Sequence, residues 1–242
     1  MKNMYETVRY QYKQYMLSSK WVMPMVALVA ILSVMYTVTP VEVVNSFSMT
    51  GLFLFPIMVW VGVTNQELEP EVSEQIMILR LKSARKYYVC HILFQTLLCA
   101  ISVVIAMLIP MLKNILTQNA VFGRGIIWSD ILGGFLLMVS CAFTGITVGE
   151  LFHIRIVKER TVMIGATFFL ALLAVIRTGV IEEYPISKYL LWIVPPVSDV
   201  VSWFSNAEYF DMGKLLCGCT LLLIYGVIFS VVKVELLRIR KF

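Results

Sequence analysis

Charge is scarce in this chain, and the charged residues avoid its long apolar blocks. Asp, Glu, Lys and Arg make up 14% of the 242 residues, whereas 60% are hydrophobic and the mean hydropathy is +0.84. Soluble domains are about a quarter charged. A water-soluble protein could not cover uncharged blocks of this length, so the sequence predicts an integral membrane protein of the all-α polytopic class.

The middle of each apolar block contains no Asp, Glu, Lys or Arg, and His91 and Glu150 lie only at block edges. Ionisable side chains within a bilayer are costly and are usually retained for function. Their scarcity argues against a proton relay and against an aspartyl or metal-dependent intramembrane protease.

Other absences narrow the function further. The sequence has no Gly-rich phosphate-binding loop of the P-loop kind, so we expect neither ATP hydrolysis nor a bound cofactor in this chain. Its five cysteines all lie in apolar blocks, and an odd number there is no disulfide framework. Cys217 and Cys219 lack a third ligand nearby, so no metal site is expected. The two halves of the chain do not align as repeats, which disfavours repeat-built transporter folds.

Six apolar blocks are long enough, or nearly so, for the roughly 20 residues that a spanning helix needs. The predicted spans cover about 21–39, 43–64, 87–112, 126–149, 161–177 and 213–233. Of the 20 Lys and Arg residues, 15 fall in the segments that this topology places on one side. Cytoplasmic loops carry the excess of Lys and Arg, so both termini are predicted to face the cytoplasm at the plasma membrane.

Residues 1–20 are predicted to form an amphipathic helix ahead of a six-span domain, 21–242. Met4, Val8, Tyr12 and other apolar residues share about a third of a helical wheel beside a basic stripe. This pattern favours a helix lying in the lipid headgroup region. The alternative is a short, frayed cytosolic tail.

The loop between the second and third spans begins acidic and ends basic. Pro70 suits a first helical position, and this charge order complements the helix dipole, so a short helix is predicted from Pro70 to about Arg85. Its apolar residues form two faces. One face has Val72, Ile76 and Leu79; the other has Met77, Ile78 and Leu81. Either the helix lies between the membrane body and a partner protein, or its second face packs on a neighbouring loop.

Two further features leave alternatives open. Residues 188–194 and 197–204 are apolar, flank Pro195-Pro196, and are each too short to span the membrane. They favour a re-entrant or interfacial hairpin on the external side. The alternative is a pair of amphipathic surface helices. Gly133, Gly134, Ser140, Gly145 and Gly149 give the fourth span small surfaces for close packing, within the chain or in a dimer.

The order of these elements resembles the permease subunits of ABC-2-type ATP-binding-cassette exporters. The resemblance covers the whole chain and rests on this architecture and on the segment ELEPEVSEQIMILRLKSARKYY. A short permease rich in Met and Ile is most similar to those of Gram-positive peptide and bacteriocin exporters, such as the phenol-soluble-modulin exporter.

The resemblance implies that the helix between spans two and three is a coupling helix, docked on a separate cytoplasmic ATPase that binds ATP and Mg²⁺. Its implied contact residues are Glu67, Glu69, Glu71, Glu74, Gln75 and Arg80. A second, smaller contact is implied at Glu150, Arg155, Lys158 and Arg160. Residues 1–20 would be the connecting helix, and 188–204 the external re-entrant segment.

The resemblance also implies a mechanism. Two permeases, identical or different, would pair, and the ATPases would move coupling helices that are rigidly continuous with spans two and three. The cavity between the permeases would then export an amphipathic peptide or a lipid; no nucleic acid is involved. Two alternatives are a non-transporting membrane scaffold, sensor or immunity protein that docks a cytoplasmic partner, and a membrane enzyme, which would need a polar cavity with clustered ionisable residues.

Overall fold

The computed structural model of the chain describes residues 2–68, 71–153, 157 and 159–239. Within these ranges the chain is helical, with no β-strand, and the predicted all-α class is confirmed. The α-helices are α1 (Lys2–Leu17), α2 (Val22–Met35), α3 (Val43–Gln66), α4 (Glu71–Leu81), α5 (Ala84–Leu116), α6 (Trp128–Leu151), α7 (Arg160–Glu183), α8 (Val197–Ser202) and α9 (Met212–Ile239).

Among the described residues, five helices are long and apolar enough to cross a membrane: α3, α5, α6, α7 and α9. The first predicted span, 21–39, is shorter than expected, because α2 has only 14 residues. At 1.5 Å per residue α2 is about 21 Å long, whereas the hydrocarbon layer is about 30 Å thick. A sixth span exists only if α1 and α2, which meet at a 73° bend, are counted as one.

The fifth span is longer than predicted. Its expected end at Arg177 is wrong, since α7 continues to Glu183. Arg177 lies within α7 and is buried, and its guanidinium is paired with groups of the same chain. Its Nη1 donates to Val194 O at 3.1 Å, and its Nε lies 3.4 Å from Oδ2 of Asp199.

The centre of the bundle is the pair α3 and α6, which approach each other at backbone contact. A Cβ atom added to Gly62 would lie 2.5 Å from Ile146 O, and one added to Gly149 would lie 2.3 Å from Val59 O. Only glycine permits this approach. Gly134, Gly145 and Gly149 of the fourth span therefore pack within the chain, against α3, and Gly133 packs against Phe210.

At one end of the bundle, the loops before α3 and before α6 pair through their backbones. Val41 N donates to Val121 O at 2.9 Å, and Gly123 N donates to Val41 O at 3.1 Å. The Arg124 guanidinium reaches both oxygens of the buried Asp130, at 2.7 and 3.0 Å. These hydrogen bonds raise the pKa of Arg124.

The segment before α9 breaks at Pro195-Pro196, as expected, and its two arms differ in structure. The first arm forms two 3₁₀ turns, 185–189 and 191–193, in which Ile186 and Tyr189 are 85% and 83% exposed. The second arm is the six-residue α8, whose Val197 and Val200 are buried in the core. The two arms thus differ: one presents apolar side chains outward and the other packs inward.

Helix α1 is well formed, so residues 2–17 are not a frayed tail. Its apolar face packs on the bundle: Tyr15 is buried, and its ring lies 6.2 Å from that of Phe94 on α5 in a T-shaped contact. Tyr5 remains 68% exposed. Much of the face predicted to contact lipid headgroups is therefore covered by the chain itself.

Candidate functional site

Helix α4 presents one apolar face to its own chain and leaves the other uncovered. Met77 and Leu81 are buried against Tyr87 and Cys90 of α5. On the other face Val72, Ile76 and Leu79 are 65%, 57% and 76% exposed. Burying a side chain of this size from water is worth about 1.5–3 kcal/mol, so the three together form an apolar surface that its own chain leaves uncovered.

Helix α4 is a separate element and not a continuation of the third span. It ends at Leu81, Lys82 has φ of +52°, and Ser83 is extended before α5 begins at Ala84. A left-handed residue cannot lie inside an α-helix. The expectation of a rigid, continuous connection between the coupling helix and span three is therefore wrong.

Two polar contacts hold α4 in place. Arg80 Nη2 pairs with Glu6 Oε2 of α1 at 2.9 Å, with both side chains substantially exposed. Glu74 is buried, and its Oε1 accepts a hydrogen bond from Tyr88 Oη at 3.3 Å. These contacts tie α4 to α1 on one side and to the start of α5 on the other.

Glu67, just beyond α3, joins three parts of the chain. Its carboxylate accepts from Arg160 Nε at 2.8 Å and from Arg160 Nη2 at 3.1 Å, and it pairs with Lys20 Nζ at 3.4 Å. Gln14 Nε2 donates to the neighbouring Leu68 O at 2.8 Å. The turn leading from α3 to α4 is thus anchored to α1, to the α1–α2 bend and to the first residue of α7.

Beneath α4 lies a buried charged cluster, which we name the Glu150 cluster: Glu150, Lys233, His91, Asn65 and Gln95. Glu150 is 1% exposed. Its oxygens accept from Asn65 Nδ2 at 2.9 Å, contact His91 Nε2 at 3.2 and 3.0 Å, and accept from Gln95 and Lys233. Four helices, α3, α5, α6 and α9, therefore meet at one carboxylate.

Two small cavities border the Glu150 cluster. A cavity beside it has a volume of about 30 Å³, enough for about two water molecules by the usual requirement of roughly 10–15 Å³ each. Ser230, which lines a smaller cavity there, donates its hydroxyl to Gly226 O and not to a base. Both cavities are of the size of a few water molecules.

The predicted contact residues are divided between surface and interior. Arg80 is exposed, Gln75 is half-buried and Glu71 begins α4. Glu67, Glu74 and Glu150 instead bond to their own chain; Glu150 in particular is not at a surface, contrary to expectation. Arg160 is exposed and bonded to Glu67. Glu69, Arg155 and Lys158 lie outside the described residues.

Sequence reasoning missed the Glu150 cluster as a unit. It placed His91 and Glu150 at span edges and gave Lys233, at the end of the sixth predicted span, no role. A signal was present: His91 and Gln95 are four residues apart, which puts them on one helix face, and Asn65, Glu150 and Lys233 lie at the same end of three other spans. Polar residues at matching depth on several spans indicate an interior cluster.

Among the described residues, no group of three or more His, Cys, Asp or Glu side chains could hold a metal ion. Comparison of the chain with protein-family models, with curated proteins and with solved structures finds no match.

Proposed function

We propose that this chain is the transmembrane permease subunit of an ATP-driven exporter of the ABC-2 type. A separate cytoplasmic ATPase docks on α4, a second permease subunit completes the pathway, and the cargo is an amphipathic peptide or a lipid. The observation that supports the proposal most directly is the uncovered face formed by Val72, Ile76 and Leu79 on a helix that is otherwise held by its own chain.

The contacts of α4 would transmit a displacement of this helix to the rest of the bundle. The α4 side chains of Met77, Leu81 and Glu74 contact the start of α5. Four residues further along α5 from Tyr87 is His91, a member of the Glu150 cluster. Movement of α4 would reach α5 first, and through the cluster it would reach α3, α6 and α9.

The proposal is tested by capturing the tagged, full-length chain from its source membranes in mild detergent. A P-loop ATPase should be recovered in stoichiometric amount, identified by mass spectrometry and shown to hydrolyse ATP in the complex. The double variant Ile76→Glu, Leu79→Glu should lose this subunit. The matched control is Ile186→Glu, which changes an equally exposed apolar residue in the 3₁₀ turn after α7 and should retain it.

Recovery of no nucleotide-hydrolysing subunit, or equal recovery with the α4 variant, would contradict the proposal. A second experiment distinguishes the exporter from the scaffold alternative. If the complex performs its cellular role with an ATPase whose phosphate-binding lysine is replaced by Ala, the chain docks a partner without using its ATP hydrolysis.

A further inference from the structure

Several polar atoms around His91 are buried without a hydrogen-bond partner in the protein. Gln11 of α1 is only 5% exposed, and neither its Nε2 nor its Oε1 is bonded. Gln66 of α3 is 6% exposed, and its Oε1 is unbonded. The Nδ1 atom of His91 is in the same state. At least about 90% of buried polar groups in proteins have a hydrogen-bond partner, so we expect these atoms to bond to a molecule bound by the protein.

The same side chains line two small cavities on either side of His91. The first, of about 10 Å³, is bordered by Gln11, Asn65, His91 and Phe94. The second, of about 30 Å³, is bordered by Gln66, His91, Glu74 and Lys233, among others. Since one water molecule needs roughly 10–15 Å³, the two have room for about one and about two waters.

The hydrogen-bonding pattern selects the ligand. Nε2 of His91 lies 3.2 and 3.0 Å from the oxygens of Glu150 and 3.3 Å from Nζ of Lys233, so the unbonded Nδ1 accepts in one tautomer and donates in the other. Gln66 donates through Nε2 to Gly149 O, and its unbonded Oε1 is an acceptor. With Gln11 the unbonded set has two amide oxygens that accept and one amide nitrogen that donates. Chloride only accepts, and a cation would lie beside the Lys233 ammonium; water donates two hydrogen bonds and accepts two.

We propose that these two cavities are a hydration site, in which ordered water molecules bridge Gln11 of α1, Gln66 of α3 and Nδ1 of His91 on α5. Helix α1 is then joined to the bundle at this point through water in addition to the direct contact between Tyr15 and Phe94. The inference does not depend on the function proposed above, because it rests only on burial, cavity volume and hydrogen-bonding capacity within the chain.

The test is X-ray radiolytic footprinting of the purified full chain, in which water bound inside a protein is converted to hydroxyl radicals that oxidise adjacent side chains. Phe94 is 1% exposed and lines the first cavity, whereas Phe47 and Phe55 are 0% exposed in the apolar core. Phe94 should be oxidised several-fold faster than either. Tyr87, which lines the second cavity, should likewise exceed the buried Tyr36.

Two variants link the labelling to the named side chains. Gln11→Leu, which removes the amide without adding a side chain that scavenges hydroxyl radicals, should reduce oxidation of Phe94 to the level of Phe47 and leave Tyr87 unchanged; Gln66→Leu should do the reverse. Equal oxidation of Phe94, Phe47 and Phe55 in the unaltered protein would overturn the proposal. So would a rise in Tm on adding chloride to a chloride-free buffer at constant ionic strength, because an anion would then be the ligand.

Discussion

The ammonium group of Lys233 on α9 donates to the carboxylate of Glu150 on α6, a residue 83 positions earlier in the chain. Both side chains are at most 10% exposed. Since Glu150 also accepts from α3 and α5, this contact fastens the last helix to the centre of the bundle. A carboxylate and an ammonium out of water are each costly alone, and their stability depends on the pair.

Removal of one member of this pair should be strongly destabilising. Lys233→Met leaves the Glu150 carboxylate buried without its cation, which typically costs about 3–5 kcal/mol. The double variant Glu150→Gln, Lys233→Met should recover most of that loss, because no buried charge remains. Thermal unfolding in detergent, followed by tryptophan fluorescence, gives the coupling energy of the two changes.

The control for this prediction is the exposed pair of Glu6 and Arg80, whose side chains are 39% and 59% exposed. Glu6→Gln should alter stability by at most about 1 kcal/mol. A Tm for Lys233→Met that equals that of the unaltered protein would mean that the buried pair contributes nothing.

The close approach of α3 and α6 should tolerate no methyl group at Gly149. The added carbon would lie 2.3 Å from Val59 O, which is backbone and cannot move aside as a flexible side chain would. Gly149→Ala should therefore cost about 1–3 kcal/mol or more through forced separation of the helices. Folded yield and Tm are the measurements.

Gly165 on α7 is the matched glycine, because nothing lies within 4 Å of a carbon added there. Gly165→Ala should be neutral, or stabilising by about 0.4–1 kcal/mol through the unfolded chain. If the two variants unfolded at the same temperature, the backbone contact between α3 and α6 would be refuted.

Adjacent residues on α4 should respond in opposite ways to truncation. Met77 is 8% exposed and packs on α5, so Met77→Ala should cost about 2–5 kcal/mol. Ile76 is 57% exposed, and Ile76→Ala should stay within about 0.5 kcal/mol. Equal losses in Tm for the isolated chain would show that the second face is also covered by this chain.

The buried Asp130 should be important at the other end of the molecule. It is 0% exposed, accepts two hydrogen bonds from Arg124, and accepts a third from Ile127 N at 3.2 Å. Asp130→Asn removes the charge that these donors face and should cost about 1–3 kcal/mol. Glu208→Gln, at an exposed side chain nearby, is the control and should leave the Tm unchanged; a similar loss in both would contradict the prediction.

The apolar blocks and the two faces of α4 could be predicted from the sequence, because they depend on block length and on hydrophobic periodicity. Val72, Ile76 and Leu79 were predicted on one face, and Met77, Ile78 and Leu81 opposite; the structure exposes the first set and covers the second. Hydrophobic spacing along a helix is a local property, and a single sequence displays it directly.

The direction in which charged residues face could not be predicted in the same way. Glu67 and Glu74 were expected on a docking surface, but Arg160, Lys20 and Tyr88 draw them inward. Those partners are up to 93 positions distant in the chain. Tertiary pairing of this kind leaves no periodic trace. The same reason explains Arg177, whose partner Asp199 lies beyond a turn.

If α4 receives force from a docked ATPase, as proposed above, the left-handed Lys82 and extended Ser83 determine how that force is transmitted. With no unbroken helical backbone leading into α5, α4 can tilt about this two-residue joint without rotating α5 as one rod. Displacement then passes sideways, through thioether, aliphatic and carboxylate groups in contact, and its efficiency depends on how tightly they fit. Trimming Met77 or Leu81 should consequently loosen mechanical transmission even where α4 still holds its partner.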